Sequence, residues 1–479
     1  MAENQSAQLS SVSSRGSASV RSRAMGRIPM TLEALNSFST QDRKNALAEA
    51  VNSFDQGIIV RPQETGWVNV LARTFFSHSV DGSSPARLAW EAVIRGLSVI
   101  GCADRDNLGA LGEMLAAGDA LGVRATVSLE TKTHVLSYAD RELNCPGQPG
   151  FLRALGVGFT SVPPLDSEHG RLIASLPNRA RDRNTAMIDK LNSLLAPVSV
   201  DYETDVLPLT PAGNATEVHI SAAYAAKAKT IFPGFHDQAV FWADVLGRSP
   251  NDAECLLGDD RAFMEALSDK LMRIGDSESH QPKIDAYPKI TEFFQAVKAS
   301  GAVPCLLWRD GESEGESNPA KLLDDAMNWG ARAVALTPDR NWNIADREEK
   351  ERKLAALARM AEEARKRHLP MLVGSPMSGL GQKFVDSFDA PEIAAYFRDF
   401  TDSAFWLYGH ATLERAAGLG LASAWSKTAF GRDPAKANAF YIEVGKKAAP
   451  GKATRVRIAA LGSEPDPQDV LDALAPLRL

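Results

Sequence analysis

The chain has 479 residues, of which 44% are hydrophobic and 24% are charged, and its formal net charge at pH 7 is -7. These values are typical of a folded globular protein with one large core. The acidic balance does not suit a surface that neutralises a nucleic-acid backbone or an anionic membrane, so we expect neither partner. The cysteines are scattered with no Cys-x-x-Cys pair, which favours a reducing, cytoplasmic location.

The N-terminal stretch 1–30 is rich in Ser and Arg, and Glu3 is its only acidic residue. It shows no apolar periodicity, which predicts a disordered tail. An organelle transit peptide or a partner-binding arm would have a similar composition.

After this tail, helical patterns alternate with short β-rich runs. Helices are predicted at 32–38, 42–54, 85–95, 106–121, 288–300, 319–329 and 346–367. Strands are predicted at 67–72, 97–103, 124–130, 155–160, 303–308, 332–337, 369–374 and 404–408. Repeated strand–helix units imply a parallel sheet, and eight of them close a barrel. The fold class is therefore α/β, a distorted (β/α) TIM-like barrel.

The interval 163–285 breaks this rhythm, because it has helical patterns and no clear strand alternation. We interpret it as a helical insertion in the barrel, since the barrel pattern resumes after it. The predicted organisation is a tail (1–30), the first half of the barrel (31–162), the insertion (163–285), the second half of the barrel (286–435) and a C-terminal extension (436–479).

Two segments resemble the opening motifs of the polymerase and histidinol phosphatase (PHP) superfamily. They are 68–74, with the sequence Val-Asn-Val-Leu-Ala-Arg-Thr, and 95–106, which contains Cys-Ala-Asp-Arg-Asp. In that family the first strand ends in His-x-His and the second in Asp-His-Asp, because imidazoles and carboxylates at strand ends converge on divalent metals. The resemblance implies a PHP-type barrel and covers most of residues 60–430.

Most of the family's metal-binding positions are replaced in this chain. Leu71, Arg73 and Arg105 stand where the three opening histidines would be. Ala154 and Leu306 stand at two later histidines, and 374–378 resembles the last motif without its ligands. Asp104 remains, as does Glu130 at the position of the family's bridging glutamate. Two carboxylates cannot hold a binuclear centre, so we expect no metal cofactor. The alternative is a reduced site for Zn, Mn or Fe.

Arg73 and Arg105 are suited to replace the lost metal charge. Buried Asp and Glu without a metal would otherwise be uncompensated. We therefore expect one or both guanidinium groups to pair with Asp104 or Glu130. The other interpretation is a surface arginine pair with no role.

Other candidate residues come from loops and strand ends. In a second alignment, 78–83 resembles the family's first loop, and His78 would supply a metal ligand; a solvent-exposed loop histidine is the alternative. His410 follows the last predicted strand and is either a pocket residue or a structural histidine. Asp339, Arg340 and Asn341 follow another strand, where they either line a pocket or cap a turn.

Three functions are consistent with these patterns. The leading hypothesis is a catalytically degenerate PHP-like protein, a pseudoenzyme in which Arg73, Arg105, Arg340 and Asn341 bind a small anion, or which binds a partner protein, in a regulatory or scaffolding role. The alternative is a metal-dependent phosphoesterase that uses Asp104, Glu130 and His78 or His410. A third possibility is metal-independent chemistry with His410 or Asp339 as the acid or base.

Overall fold

The computed structural model describes residues 29–77, 82–211, 214–275, 284–377 and 382–475. The chain divides into two compact units, Met1–Arg61 and Pro62–Leu479. The first unit contains helices α1 (Pro29–Ala34) and α2 (Thr40–Asp55). The Ser39 side chain accepts a hydrogen bond from the backbone N–H of Asp42 and so caps α2. Apart from residues 29 and 30, the predicted tail lies outside the described residues.

The described strands of the second unit form one seven-stranded sheet in which spatial order follows chain order. The strands are β1 (Val68–Ala72), β2 (Val99–Arg105), β3 (Arg124–His134), β4 (Phe151–Val157), β5 (Val303–Leu307), β6 (Ala333–Leu336) and β7 (Met371–Val373). Strands β1 to β3 run parallel, and so do β5 to β7. Only β4 runs antiparallel to both of its neighbours. The sheet is therefore mixed, whereas eight strand–helix units would have given a fully parallel one.

The sheet curves into a nearly closed barrel, and Asn69 of β1 joins its two edges. The Asn69 amide donates hydrogen bonds to the carbonyl oxygens of Ser375, 3.0 Å away, and Phe384, 2.7 Å away. Gly374 follows β7 and lies so close to β1 that a Cβ atom there would overlap the Asn69 side chain. Closure of the barrel thus depends on the Asn69 amide at one edge and on a residue without a side chain, Gly374, at the other.

Helices surround this sheet. Those in the first half of the barrel are α3 (Pro85–Ile94) and α4 (Leu111–Leu121). Those between β4 and β5 are α5 (Glu168–Leu194), α6 (Glu217–Ile231), α7 (Phe235–Leu246), α8 (Pro250–Leu257), α9 (Asp260–Gly275) and α10 (Ile290–Ala299). Those in the second half are α11 (Pro319–Trp329), α12 (Asp339–Trp342) and α13 (Arg347–Lys366), followed by α14 (Phe397–Ala417), α15 (Ala424–Phe430), α16 (Pro434–Lys447), α17 (Lys452–Ala459) and α18 (Pro467–Ala473).

The predicted helical insertion is present between β4 and β5. Helices α5, α6, α7 and α9 surround their own hydrophobic core, which includes Tyr224, Trp242 and Leu267. We refer to α5 to α9 as the helical insertion. In the part of the chain that the structure describes, no helix is long and apolar enough to cross a membrane.

The strand predicted at 404–408 is wrong, because these residues lie inside α14. This helix is buried around much of its circumference, including Phe400, Trp406 and Leu407. A helix buried on several sides shows a nearly continuous apolar run instead of an amphipathic period. That run, with its aromatic residues, has the composition of a buried strand.

Replacing Gly374 with Ala tests the closure of the barrel. The new methyl group would meet the Asn69 side chain and the Leu71 backbone, so we expect a loss of about 1–3 kcal/mol in the free energy of unfolding. Urea denaturation measures it. As a control, Gly112→Ala in α4 meets no atom within 4 Å and should stabilise the protein by up to about 1 kcal/mol. Equal effects of the two substitutions would contradict this description of the closure.

Candidate functional site

The candidate site lies at the carboxyl ends of β1, β2 and β3. Parallel pairing places Arg105, the last residue of β2, opposite Glu130 of β3. Arg73 immediately follows β1, next to them. On the other side of β3, the antiparallel strand β4 brings Arg153 opposite Lys132. Residues that belong to or follow three neighbouring strands therefore surround the Glu130 side chain.

Three arginines contact the Glu130 carboxylate, and we call these four residues the arginine cluster. Arg73 Nη2 donates to Glu130 Oε2 over 2.7 Å. Arg105 Nε and Arg153 Nη1 each lie 3.5 Å from Glu130 Oε1. Only 5% of the Glu130 side chain is exposed, whereas Arg105 and Arg153 are 22% and 25% exposed. Glu130 is thus the buried centre of the cluster, and two of its arginines are accessible to a ligand.

The arginines control the protonation of Glu130. Burial alone would raise the pKa of its carboxyl group. The positive charges of Arg73, Arg105 and Arg153 outweigh this effect and lower the pKa to about 2. Glu130 is therefore a carboxylate at neutral pH, and the expected arginine–Glu130 pair is present.

Asp104 has different partners, because adjacent residues in a strand face opposite sides of the sheet. Its carboxylate accepts hydrogen bonds from the Thr74 backbone N–H (2.9 Å), the Thr74 hydroxyl (2.7 Å) and the Ser77 hydroxyl (2.5 Å). Burial raises the Asp104 pKa, although these hydrogen bonds and the Arg73 charge oppose the shift. Asp104 holds the loop after β1 and makes no ion pair with Arg73 or Arg105 among the described residues.

The described residues do not fit the metal centre that the PHP resemblance implies. Glu130 is bound by guanidinium groups, and Asp104 is bound by N–H and O–H donors on the other side of the sheet. Within the described ranges, no three His, Cys, Asp or Glu side chains are grouped as a metal ion would require. His78 lies outside the described residues.

A small cleft of about 50 Å³ opens between the arginine cluster and the helical insertion. Its lining residues are Arg105, Asp106, Lys132, Arg153, Ala180, Arg183, Asn184, Asn214, Ala215, Thr216, Glu217 and Tyr287. Two ion pairs join its walls. Arg105 Nη1 lies 3.0 Å from Glu217 Oε2 of α6, and Arg183 Nη2 of α5 lies 2.8 Å from Asp106 Oδ2. The insertion thus contributes charged residues directly beside the barrel site.

The sequence analysis did not identify Arg153, Arg183 or Glu217. Arg153 immediately precedes Ala154, a position that the family resemblance did single out. Alternation within β4 turns Arg153 towards Glu130 and Ala154 to the other face. The insertion shows no motif that could have revealed Arg183 and Glu217.

Arg340 lies within electrostatic range of Arg73 and Glu130 of the arginine cluster. Its guanidinium makes no hydrogen bond or ion pair with the described residues. Desolvation lowers its pKa, and the neighbouring charges of Arg309 and Arg73 add to the effect. Asn341, in contrast, is fully buried and donates to the carbonyl oxygens of Asp310 (3.0 Å) and Lys353 (2.9 Å). Arg340 is available to an anion, whereas Asn341 holds neighbouring segments together.

The two acid or base candidates lie apart from the arginine cluster. Asp339 is half-buried at the start of the short helix α12. His410 lies in α14 and packs against Gly158, which follows the antiparallel strand β4 and so lies towards the opposite end of the barrel. Its Nδ1 accepts a hydrogen bond from Leu421, and burial lowers its pKa to about 4. The structure does not bring Asp339 or His410 to Glu130.

No protein-family model matches the chain, and no curated protein matches it. Among solved structures, it is similar to a protein assigned as a metal-dependent phosphoesterase from Bifidobacterium adolescentis, with 19% identity, a TM-score of 0.42 and coverage of 70% of this chain and 97% of that one. It is also similar to an amidohydrolase from Chromobacterium violaceum that was solved with sulfate and no metal, with 12% identity, a TM-score of 0.42 and coverage of 69% and 95%. The fold and site define an α/β-barrel protein with an arginine-bound carboxylate at its strand ends.

Replacing Glu130 with Gln should strongly destabilise the protein. Arg73 would keep its buried charge but lose its carboxylate partner, which costs about 3–5 kcal/mol. Urea denaturation at pH 7 measures the loss. The matched control is Glu351→Gln, which removes a 64%-exposed partner of Arg347 and should change stability by less than about 1 kcal/mol. A similar small effect for both variants would show that Glu130 is not the centre of the cluster.

The loss in the free energy of unfolding that Glu130→Gln causes should also depend on pH. The folded-state pKa of Glu130 is lowered to about 2 from the ordinary 4.5, so its stabilising contribution is fully present above pH 4.5 and is lost as pH falls towards 2. We expect the stability difference between wild type and Glu130→Gln to shrink across this window. Urea midpoints of both proteins at several pH values test this, and a difference that stays constant would contradict the assignment.

Proposed function

We propose that this protein is a degenerate PHP-like barrel that binds a small anionic ligand at its strand ends and acts in a regulatory or scaffolding role. The observation that carries the proposal is the arginine cluster, in which three guanidinium groups surround one carboxylate. Arginine recognises carboxylates and phosphates through planar, charge-assisted hydrogen bonds. A second anion beside Glu130 would therefore meet preorganised donors.

The crowding of positive charge supports this proposal. Burial lowers the pKa of Arg105 to about 10, and repulsion from Arg73 and Arg153 contributes to that shift. The buried Nε atoms of Arg73 and Arg105 have no hydrogen-bond partner among the described residues. An incoming anion would relieve the repulsion between the guanidinium groups. We assign ligand contact to Arg105 and Arg153, which are accessible, and an anchoring role to Arg73.

A metal-dependent phosphoesterase remains the alternative function. In that reaction Glu130 would have to exchange its arginine partners for a metal ion, and Asp104 would have to give up its three hydrogen bonds. The guanidinium groups on Glu130 and the N–H and O–H donors on Asp104 oppose both changes, so we prefer the anion-binding function.

Thermal denaturation with added anions tests the proposed function. Phosphate, sulfate or acetate should raise the melting temperature of the wild-type protein more than NaCl of the same ionic strength, because a ligand that binds the folded state stabilises it. Arg105→Gln and Arg153→Gln should each lose most of this increase relative to their own ligand-free values.

Arg347→Gln is the matched control, since Arg347 is 88% exposed on α13 and pairs only with Glu351 among the described residues. It should retain the full increase. If none of these anions stabilises the wild type beyond NaCl, the proposal fails. Metal-dependent hydrolysis of phosphoesters by the purified protein would instead support the alternative.

A further inference from the structure

The cleft beside the arginine cluster has little free space. Its volume of about 50 Å³ is room for roughly three or four water molecules, so a larger ligand must displace a side chain that lines it. The Glu217 carboxylate is one such group, because Arg105 Nη1 donates a hydrogen bond to Glu217 Oε2 over 3.0 Å. An arginine to which we assign ligand contact is therefore already bound to a carboxylate of the chain itself.

The Glu217 carboxylate is attracted by more than one arginine. Burial alone would raise the pKa of its carboxyl group, but the charges of Arg105 and Arg153 outweigh this effect and hold the pKa well below its usual range. Glu217 is therefore a carboxylate at neutral pH. Its two arginine partners are the same residues that a ligand anion would contact.

The two carboxylates beside Arg105 differ in how easily they can leave it. The Glu130 side chain is 5% exposed and contacts three arginines, so its removal would leave buried charge without a partner. The Glu217 side chain is 32% exposed, and its one ion pair among the described residues is with Arg105. Water can solvate the Glu217 carboxylate once it leaves Arg105. Glu217 is thus the group that an incoming anion can replace.

We infer that Glu217 is an internal competitor for the ligand site: its carboxylate occupies the anion position on Arg105, and a ligand anion binds by replacing it. This inference rests on the proposed anion-binding function and adds how that site is regulated. Helix α6, which begins at Glu217, packs chiefly against other elements of the insertion, including α5 and α9. Replacement of Glu217 would therefore remove a link between the insertion and the barrel, while the pair of Arg183 and Asp106 stays.

Calorimetric titration of the full chain with inorganic phosphate, sulfate and acetate tests this competition. Glu217→Gln keeps the shape of the side chain but removes its charge. It should bind each anion that the wild type binds at least about fivefold more tightly, which corresponds to the strength of a partly exposed ion pair. Glu217→Asp keeps the charge but shortens the side chain by one methylene group, which withdraws the carboxylate from Arg105. It should bind more tightly than the wild type and less tightly than Glu217→Gln.

Two further variants show where the gain in affinity arises. Adding Arg105→Gln to Glu217→Gln should abolish the gain, because the vacated anion position lies on Arg105. Glu254→Gln is the matched control, since Glu254 on α8 is 36% exposed, much as Glu217 is, but pairs with His236. This variant removes the same charge from the insertion and should bind anions as the wild type does.

The outcomes separate this inference from the proposed function. Wild-type anion binding that Glu217→Asp does not strengthen, or a gain in Glu217→Gln that survives Arg105→Gln, would overturn the internal competitor while anion binding stands. Absence of binding in the wild type and in both Glu217 variants would overturn both proposals. Circular dichroism shows whether each variant is folded. If Glu217→Gln is not, Glu217→Asp still decides, because aspartate is favourable in the first turn of a helix.

Discussion

The burial of the Glu130 carboxylate is the constraint on which the strand-end site depends. A buried charge is stable only when other charges or hydrogen bonds compensate it, and here the compensation comes from Arg73, Arg105 and Arg153. These arginines belong to or adjoin β1, β2 and β4, so one carboxylate on β3 holds three neighbouring segments. The same crowding leaves positive charge facing the cleft. The packing of these strand ends and the charge of the cleft thus have a common electrostatic origin.

The helical insertion extends this network beyond the barrel. Glu217 on α6 pairs with Arg105, the last residue of β2. Arg183 on α5 pairs with Asp106, the next residue of the chain. The insertion has a hydrophobic core of its own, so its packing does not depend on these ion pairs alone. Ion pairs therefore connect two parts of the chain that each have their own packed core.

Much of the barrel could be predicted from the sequence, because seven short β-rich runs correspond to β1 to β7 and are separated by helical patterns. The pairing of arginine with Glu130 could also be predicted, since a buried carboxylate needs a compensating positive charge. The reversed direction of β4 and the helical state of 404–408 could not, because apolar composition alone does not encode strand direction or distinguish a buried helix from a strand. Arg183 and Glu217 reach the site only through tertiary packing, which leaves no local sequence signal.

Metal content tests most directly whether arginines have replaced a metal at Glu130. The purified protein would be loaded with Zn, Mn or Fe, freed of excess ion and examined by elemental analysis. We expect well below one equivalent of each metal, in the wild type and in Glu130→Gln alike, because guanidinium groups hold the carboxylate that a metal would need. Near-stoichiometric metal in the wild type that disappears in Glu130→Gln would contradict this and identify Glu130 as a metal ligand.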